Sequence, residues 1–273
     1  MLKPTSFHVR HDLQPVLTYE LLNLFLSKPE GQTQEELEHS ANIYGFRLRE
    51  RKDYSKLIKS LMELDVLREE DDRFLLTDKG EIISRLIIYQ RDLLAEFIHF
   101  LYYSSFDLEP NKRFSWSYRT VCDALWLSAP SVINRDSLVN HVTREAVTIF
   151  EENGISFSAS SVSGVINWLV ELIPNCVVVH GTEQQFVRRE YCSIELFTLA
   201  LNHEYRRKSA VDLAYVTIDS SFREEICRLC LINPDKFSEM LSLAEASFNC
   251  VDVRRERGDK ISMSKFEWNS LEN

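Results

Sequence analysis

Asp65-Val66-Leu67-Arg68-Glu69-Glu70-Asp71-Asp72-Arg73-Phe74-Leu75-Leu76-Thr77-Asp78-Lys79-Gly80 is the stretch whose reading decides the fold. Asp65–Arg68 and Arg73–Thr77 are two short strand-like runs, and the acidic run Glu69–Asp72 between them turns the chain. Thr77-Asp78-Lys79-Gly80 then leads into a helical stretch, Glu81–Ile87. Upstream, Leu57, Ile58, Leu61, Met62 and Leu64 recur at the i, i+3, i+4, i+7 spacing of a buried helix face that begins near Asp53. Before that, Thr33-Gln34-Glu35-Glu36 is a capping box, with a hydroxyl at the cap and a carboxylate three residues on. It predicts a short helix through about Tyr44. An earlier helix carries Leu21, Leu22, Leu24, Phe25 and Leu26, and Pro29 and Gly31 stop it.

Composition narrows the possibilities around this segment. The chain has 273 residues, enough for two domains of roughly 100–150 residues each. At 44% hydrophobic and 27% charged it can bury a core, which excludes a disordered chain. Only seven glycines occur where average usage would give roughly 19, so glycine-rich phosphate loops are disfavoured. No apolar run reaches the roughly 18 residues of a membrane helix. Met1–Ser6 has no signal-peptide core, so neither a membrane nor a secretory route is expected. Six dispersed cysteines predict reduced thiols in a cytoplasmic protein. The net charge is −10, of which residues 1–100 carry −4 and the remainder −6. Phosphate neutralisation drives nonspecific nucleic-acid affinity, so any contact with DNA must come from a local basic patch.

Downstream the order is less clear. Residues 91–128 are aromatic-rich and helical in pattern, with Leu93, Leu94, Phe97, Ile98, Leu101 and Tyr102 on one face and a boundary loop at Glu109–Arg113. A long helix is predicted from Asn134 to Asn153, capped by Gly154, and another starts at Ser158 and ends before Pro174. Cys176–Val179 and Gln185–Arg188 are strand-like, turning at His180–Glu183, and a further helix runs from Ser193 to Leu201. The tail, residues 209–273, predicts one or two helices and shows no recognisable motif.

Three helices, a hairpin and Leu76-Thr77-Asp78-Lys79-Gly80 entering a closing helix resemble the winged helix-turn-helix fold, over about residues 15–100. The Leu-Thr-x-Lys-Gly exit is similar to that of many bacterial winged-helix regulators. Helix, helix, hairpin and helix over 134–205 look like a second, divergent copy. The expected fold is therefore mainly α with small β-hairpin wings: an N-terminal winged-helix domain (1–108), a second winged-helix-like domain (109–208) and a helical C-terminal extension (209–273).

Arg47, Arg49, Arg51, Lys52, Lys56 and Lys59 place six cations within 13 residues, diluted by Glu50 and Asp53. Lys52, Lys56 and Lys59 share a helix face opposite Leu57, Ile58 and Leu61. The resemblance implies that this third helix enters the major groove, where Arg reads guanine edges and Lys neutralises phosphates. The same residues also suit a solvated outer face. Four consecutive carboxylates at Glu69–Asp72 would repel a phosphate backbone, and consecutive acids on a hairpin tip cannot converge on one metal ion. In the second copy the corresponding helix carries Ser160, Ser161, Ser163, Asn167 and Trp168 without Lys or Arg, which suits a protein contact; Trp168 itself reads as core.

Arg188-Arg189, Arg206-Arg207-Lys208 and Arg254-Arg255-Glu256-Arg257 are small basic patches that read as solvated surface. Cys227 and Cys230 form the one C-x-x-C; with no second pair it reads as buried helical thiols and not as zinc. His8 and His11 lack a third ligand. Neither a nucleophile-elbow, a zinc-protease nor a phosphate-loop pattern occurs, so no catalytic residue, cofactor or metal is assigned and no enzymatic role is expected. The primary expectation is a double-stranded DNA-binding transcriptional regulator that self-associates through helices in the 81–105 region. The alternative is an acidic tandem winged-helix interaction subunit of a DNA-processing, chromosome-organising or defence assembly, an architecture seen in accessory subunits of chromosome-condensing complexes.

Overall fold

The computed structural model describes residues 6–10, 13–44, 51–152, 154–209, 211–255 and 258–272, with backbone alone for 44 and 51–54. The chain is mainly helical with small antiparallel sheets of two or three strands. Contacts divide it into two compact units, Met1–Val121 with Asn134–Glu171, and Cys122–Ile133 with Leu172–Asn273. These cuts fall elsewhere than the expected boundaries at 108/109 and 208/209.

In the first unit, α1 (Pro15–Leu26) opens on a proline, whose missing N–H costs nothing in the first turn. Then follow α2 (Gln34–Tyr44), α3 (Arg51–Glu63), β1 (Leu67–Glu70), β2 (Arg73–Leu76), α4 (Asp78–Tyr89) and α5 (Leu93–Leu108). The start of α6 (Arg113–Ser128), then α7 (Arg135–Phe150) and α8 (Ala159–Leu169), complete it. Helix α5 is buried continuously from Leu93 to Ser105 and packs on α1, α4 and α8. Each fully buried side chain such as Phe97 or Ile98 contributes about 1.5–3 kcal/mol. Between 81 and 105 the exposed large apolar side chains among the described residues are Ile88 and Tyr89, at the end of α4. Helix α7 ends on Glu151, which takes the left-handed cap (φ 55°) in place of the expected Gly154.

Residues 6–10 run beside α3 and α8. Phe7 sits edge-on to Trp116 and Phe150, with centroids 5.8 and 5.2 Å away. Arg10 forks onto Glu63 at 3.0 and 2.9 Å, and a Cβ on Gly164 would stand 2.9 Å from the Val9 carbonyl oxygen.

The second unit holds β3 (Ser131–Val132), β4 (Val177–His180), β5 (Glu183–Phe186), α9 (Ile194–Lys208), β6 (Val216–Thr217), α10 (Ser220–Cys230), α11 (Phe237–Ser247), β7 (Val251–Arg254) and β8 (Lys260–Met263). Its sheets are ordered β3-β5-β4 and β6-β8-β7, and α9 packs on both α10 and α11.

One topological order occurs three times along the chain: a helix, a short strand, two helices, then a hairpin whose second strand pairs with the short strand. It runs as α1, the Gln32 bridge to Phe74, α2, α3, β1–β2; then α6, β3, α7, α8, β4–β5; then α9, β6, α10, α11, β7–β8. Residues 209–273, expected to add one or two helices, hold α10 and α11 and also supply β6, β7 and β8.

Candidate nucleic-acid interface

Helix α3 separates its two kinds of residue sharply. Leu57, Ile58, Leu61 and Ser60 are buried, while Lys56 and Lys59 are exposed. Ser60 donates to the Lys56 carbonyl at 2.9 Å, so the small polar residue on the buried side is satisfied within the helix. The helix packs on α2 and β1, which fixes the direction of its outer face. Arg51 and Lys52 are its first two residues, a turn in which the helix dipole disfavours cations by about 0.3–1 kcal/mol each. Arg47 and Arg49 lie outside the described residues. Four of the six expected cations therefore belong to α3, and two of them are seen to face outward.

The hairpin beside it is built tightly. Asp71 (φ 49°) and Asp72 (φ 61°) both take the left-handed conformation that a two-residue turn of mirror-image type requires. The strands consequently pair up to Glu70↔Arg73, further than the sequence runs suggest. Glu69, Glu70, Asp71 and Asp72 are exposed, and Arg68 lies 3.1 Å from Glu70. Arg73 is committed inward: its guanidinium donates to the Gly31 carbonyl at 2.7 Å and to Glu36 at 2.8 Å. Glu36 also accepts from the Thr33 backbone N–H while its own N–H bonds the Thr33 hydroxyl, the reciprocal capping box the sequence indicates. The Thr33 amide first, then Arg73, hold the Glu36 carboxyl below the usual carboxylate range. Gln32 is fully buried, paired through its backbone with Phe74 and through its amide with the Leu24 carbonyl at 3.0 Å.

At the exit, the Thr77 hydroxyl caps α4 by accepting from the Gly80 amide at 3.0 Å. A Cβ on Gly80 would sit 2.1 Å from the Val66 carbonyl oxygen, so only glycine lets α4 start this close to the chain entering β1. Lys79 pairs with Asp65 at 2.8 Å. In the Leu-Thr-x-Lys-Gly run Thr77, Lys79 and Gly80 thus each have a structural task.

The other basic patches behave differently from one another. Arg188 lies 4.3 Å over the Trp126 ring and donates twice to the Trp126 carbonyl. Arg189 is fully buried, donating to the Cys230 carbonyl at 3.1 and 2.6 Å and to the Ile173 carbonyl at 3.5 Å. The reading of this pair as solvated surface is corrected: Arg188 holds a carbonyl of α6, and Arg189 holds carbonyls at the end of α10 and at Ile173, inside the second unit. Arg206, Arg207 and Lys208 pair with Asp212, Glu204 and Asp219. Arg255 pairs with Glu245 at 2.7 Å, whereas Arg254 stacks on Tyr215.

Trp168 is core, as expected, with no exposed surface. Cys227 and Cys230 are buried, and Cys192 stands beside Cys230, a proximity the sequence spacing does not reveal. Burial pushes the Cys227 thiol up to about 12 and also raises the Cys230 thiol well above its ordinary value. His8 bonds the Ser161 hydroxyl at 2.6 Å, and His11 lies outside the described residues. Among the described residues no three His, Cys, Asp or Glu side chains group as a metal site, and no helix is long and apolar enough to cross a membrane.

No protein-family model matches the chain, and no curated protein matches it. Among solved structures, a magnesium ion-bound SspB crystal structure is similar, with a TM-score of 0.63 at 14% identity over 95% of this chain and 83% of that one. A second SspB crystal structure gives 0.58 at 12% identity over 95% and 84%. At these identities the likeness is one of fold alone.

Proposed function

We propose that the chain binds duplex DNA through the outward face of α3, as a regulator of winged-helix type without catalytic chemistry of its own. The observation that carries this reading is the division of α3: Lys56 and Lys59 exposed on a helix whose opposite face is buried against α2 and β1. Arg51 and Lys52 at the N-terminal turn add to it, since that end favours anions over cations and a bound phosphate would reverse the cost. The topological order of the first repeat supports a winged-helix unit over residues 15–100. The same order in the second and third repeats supports a tandem of three such units in place of two. Transcription regulation is proposed from the winged-helix resemblance; the SspB structures contribute a fold alone.

The exposed acidic hairpin favours a second reading, an interaction subunit of a larger DNA-processing assembly whose hairpins and helices grip a partner chain. The two readings separate in one experiment. Duplex DNA binding is followed by fluorescence anisotropy for the unmodified chain and for Lys56→Glu with Lys59→Glu. The DNA-binding reading expects at least a tenfold loss in a variant that keeps its helical circular dichroism. Unchanged affinity in the folded variant removes α3 as the contact, and no binding by either protein leaves the interaction subunit.

A further inference from the structure

The three hairpins differ in charge. Residues 67–76 carry −2 and residues 177–186 carry −1, whereas residues 251–263 carry +1 in a chain of net −10. Most charges around the third hairpin are internally matched. Arg255 is paired with Glu245 at 2.7 Å, and Asp259 with Arg223 at 2.7 Å. Asp252 accepts the hydroxyl of Tyr215.

Two cations remain on one face. On β7, Val251 and Val253 point into the core, so Asp252 and Arg254 point out. Arg254 is directly opposite Lys260 on β8, and Lys260 is opposite Thr217 on β6. Among the described residues, neither Arg254 nor Lys260 has a carboxylate within ion-pair distance. Like charges directly opposite across an antiparallel pair are destabilising, and their Cβ atoms stand only about 4.5–5.5 Å apart. The Arg254 guanidinium is nevertheless held in place, 4.0 Å over the Tyr215 ring. Stacking and a side-chain hydrogen bond with Tyr215 fix its plane, and its remaining N–H groups suit a planar or tetrahedral oxyanion. Asp252 shares this face but is engaged by the Tyr215 hydroxyl, so the two cations kept side by side, one of them preorganised, are relieved by neighbouring anions.

We propose that Tyr215, Arg254 and Lys260 form a second contact surface for the sugar-phosphate backbone of duplex DNA, separate from α3. Lys260 supplies a mobile ammonium and Arg254 an oriented fork to two adjacent phosphates, while Tyr215 positions Arg254. Both cations are assigned to phosphates, so the surface adds affinity without sequence preference. It holds independently of whether α3 makes the contact assigned to it above.

The test is an anisotropy titration of the full chain with duplex DNA between 50 and 200 mM salt, repeated for Arg254→Ala with Lys260→Ala. Each lost phosphate contact lowers the slope of log affinity against log salt by about 0.9, so two change it by about 1.8. Over that salt range the variant should therefore lose about 12-fold less affinity than the unmodified chain. Arg254→Lys, which keeps the charge and loses the stacked fork, should leave the slope in place and weaken binding. Tyr215→Leu should do the same. Both side chains of the double variant are exposed, so folding is checked by circular dichroism, and Lys260→Ala alone gives half the slope change if the pair is unstable. An unchanged slope in the folded variant overturns the proposal, as does absence of binding by the unmodified chain. Tighter binding to duplex RNA of the same sequence overturns the assignment to DNA. Loss in this variant with retention in Lys56→Glu/Lys59→Glu would sink the α3 contact and leave this one standing.

Discussion

Gly80→Ala should destabilise the first unit, against the usual effect of that substitution in a helix. Alanine is favoured over glycine in a helix interior by about 0.8–1.0 kcal/mol, so an unconstrained site would gain stability. At position 80 the new Cβ meets the Val66 carbonyl oxygen at 2.1 Å, whereas ordinary contact begins at about 3.4 Å. The two backbones must separate by roughly 1.3 Å. Overpacking of that order costs about 1–3 kcal/mol. The same oxygen accepts from the Thr77 amide at 3.0 Å, and lengthening that bond removes about 0.5–1.5 kcal/mol more. The losses outweigh the propensity gain, for a net destabilisation of about 1–3 kcal/mol. Thermal unfolding followed by far-ultraviolet circular dichroism reads it directly: a unit of this size loses about 2–4 °C of Tm per kcal/mol. A Tm that is unchanged or raised would refute the reasoning, because it would mean α4 does not sit against Val66 as described.

Further outcomes follow from the second unit and from the capping network. Arg189→Met should lower stability by about 3 kcal/mol, since it strips the Cys230 and Ile173 carbonyls of a buried charged donor; urea denaturation gives the value. Glu36 is held ionised in the folded state, so its contribution is present above the ordinary carboxylate pKa and lost as pH falls through the lower folded one. Glu36→Gln should accordingly flatten the acid limb of the stability–pH curve. Cys227, with its thiol raised to about 12, should react with a disulfide reagent at pH 8 far more slowly than the half-exposed Cys250, in a mass-spectrometric time course. The raised thiol also favours the folded state below the unfolded thiol pKa, and this is lost as pH climbs toward 12.

Local signals were legible in the sequence wherever a single side chain decides a backbone choice. Thr33 with Glu36 marks the start of α2, Thr77 with Gly80 the start of α4, and Asn134 and Ser193 the caps of α7 and α9. The α3 face was legible because Leu57, Ile58 and Leu61 keep helical period against Lys56 and Lys59. Hairpin ends were misplaced by one or two residues, because tight turns at Asp71-Asp72 and Gly181-Thr182 let the strands pair through polar positions. The third sheet went unread since β6 is two residues long, although Val251-Asp252-Val253-Arg254 carries the alternation of a half-buried strand. Arg189 could not be told from a surface arginine by its neighbours. Its burial depends on carbonyls that come from residues 173 and 230, and sequence spacing says nothing about those.

The central claim is tested most directly by the salt dependence of duplex DNA affinity in the unmodified chain. If the six cations between Arg47 and Lys59 each neutralise a phosphate, they alone contribute about −5 to the slope of log affinity against log salt. A slope near zero, or no binding at 50 mM salt by the folded protein, would contradict DNA binding and assign these surfaces to a protein partner.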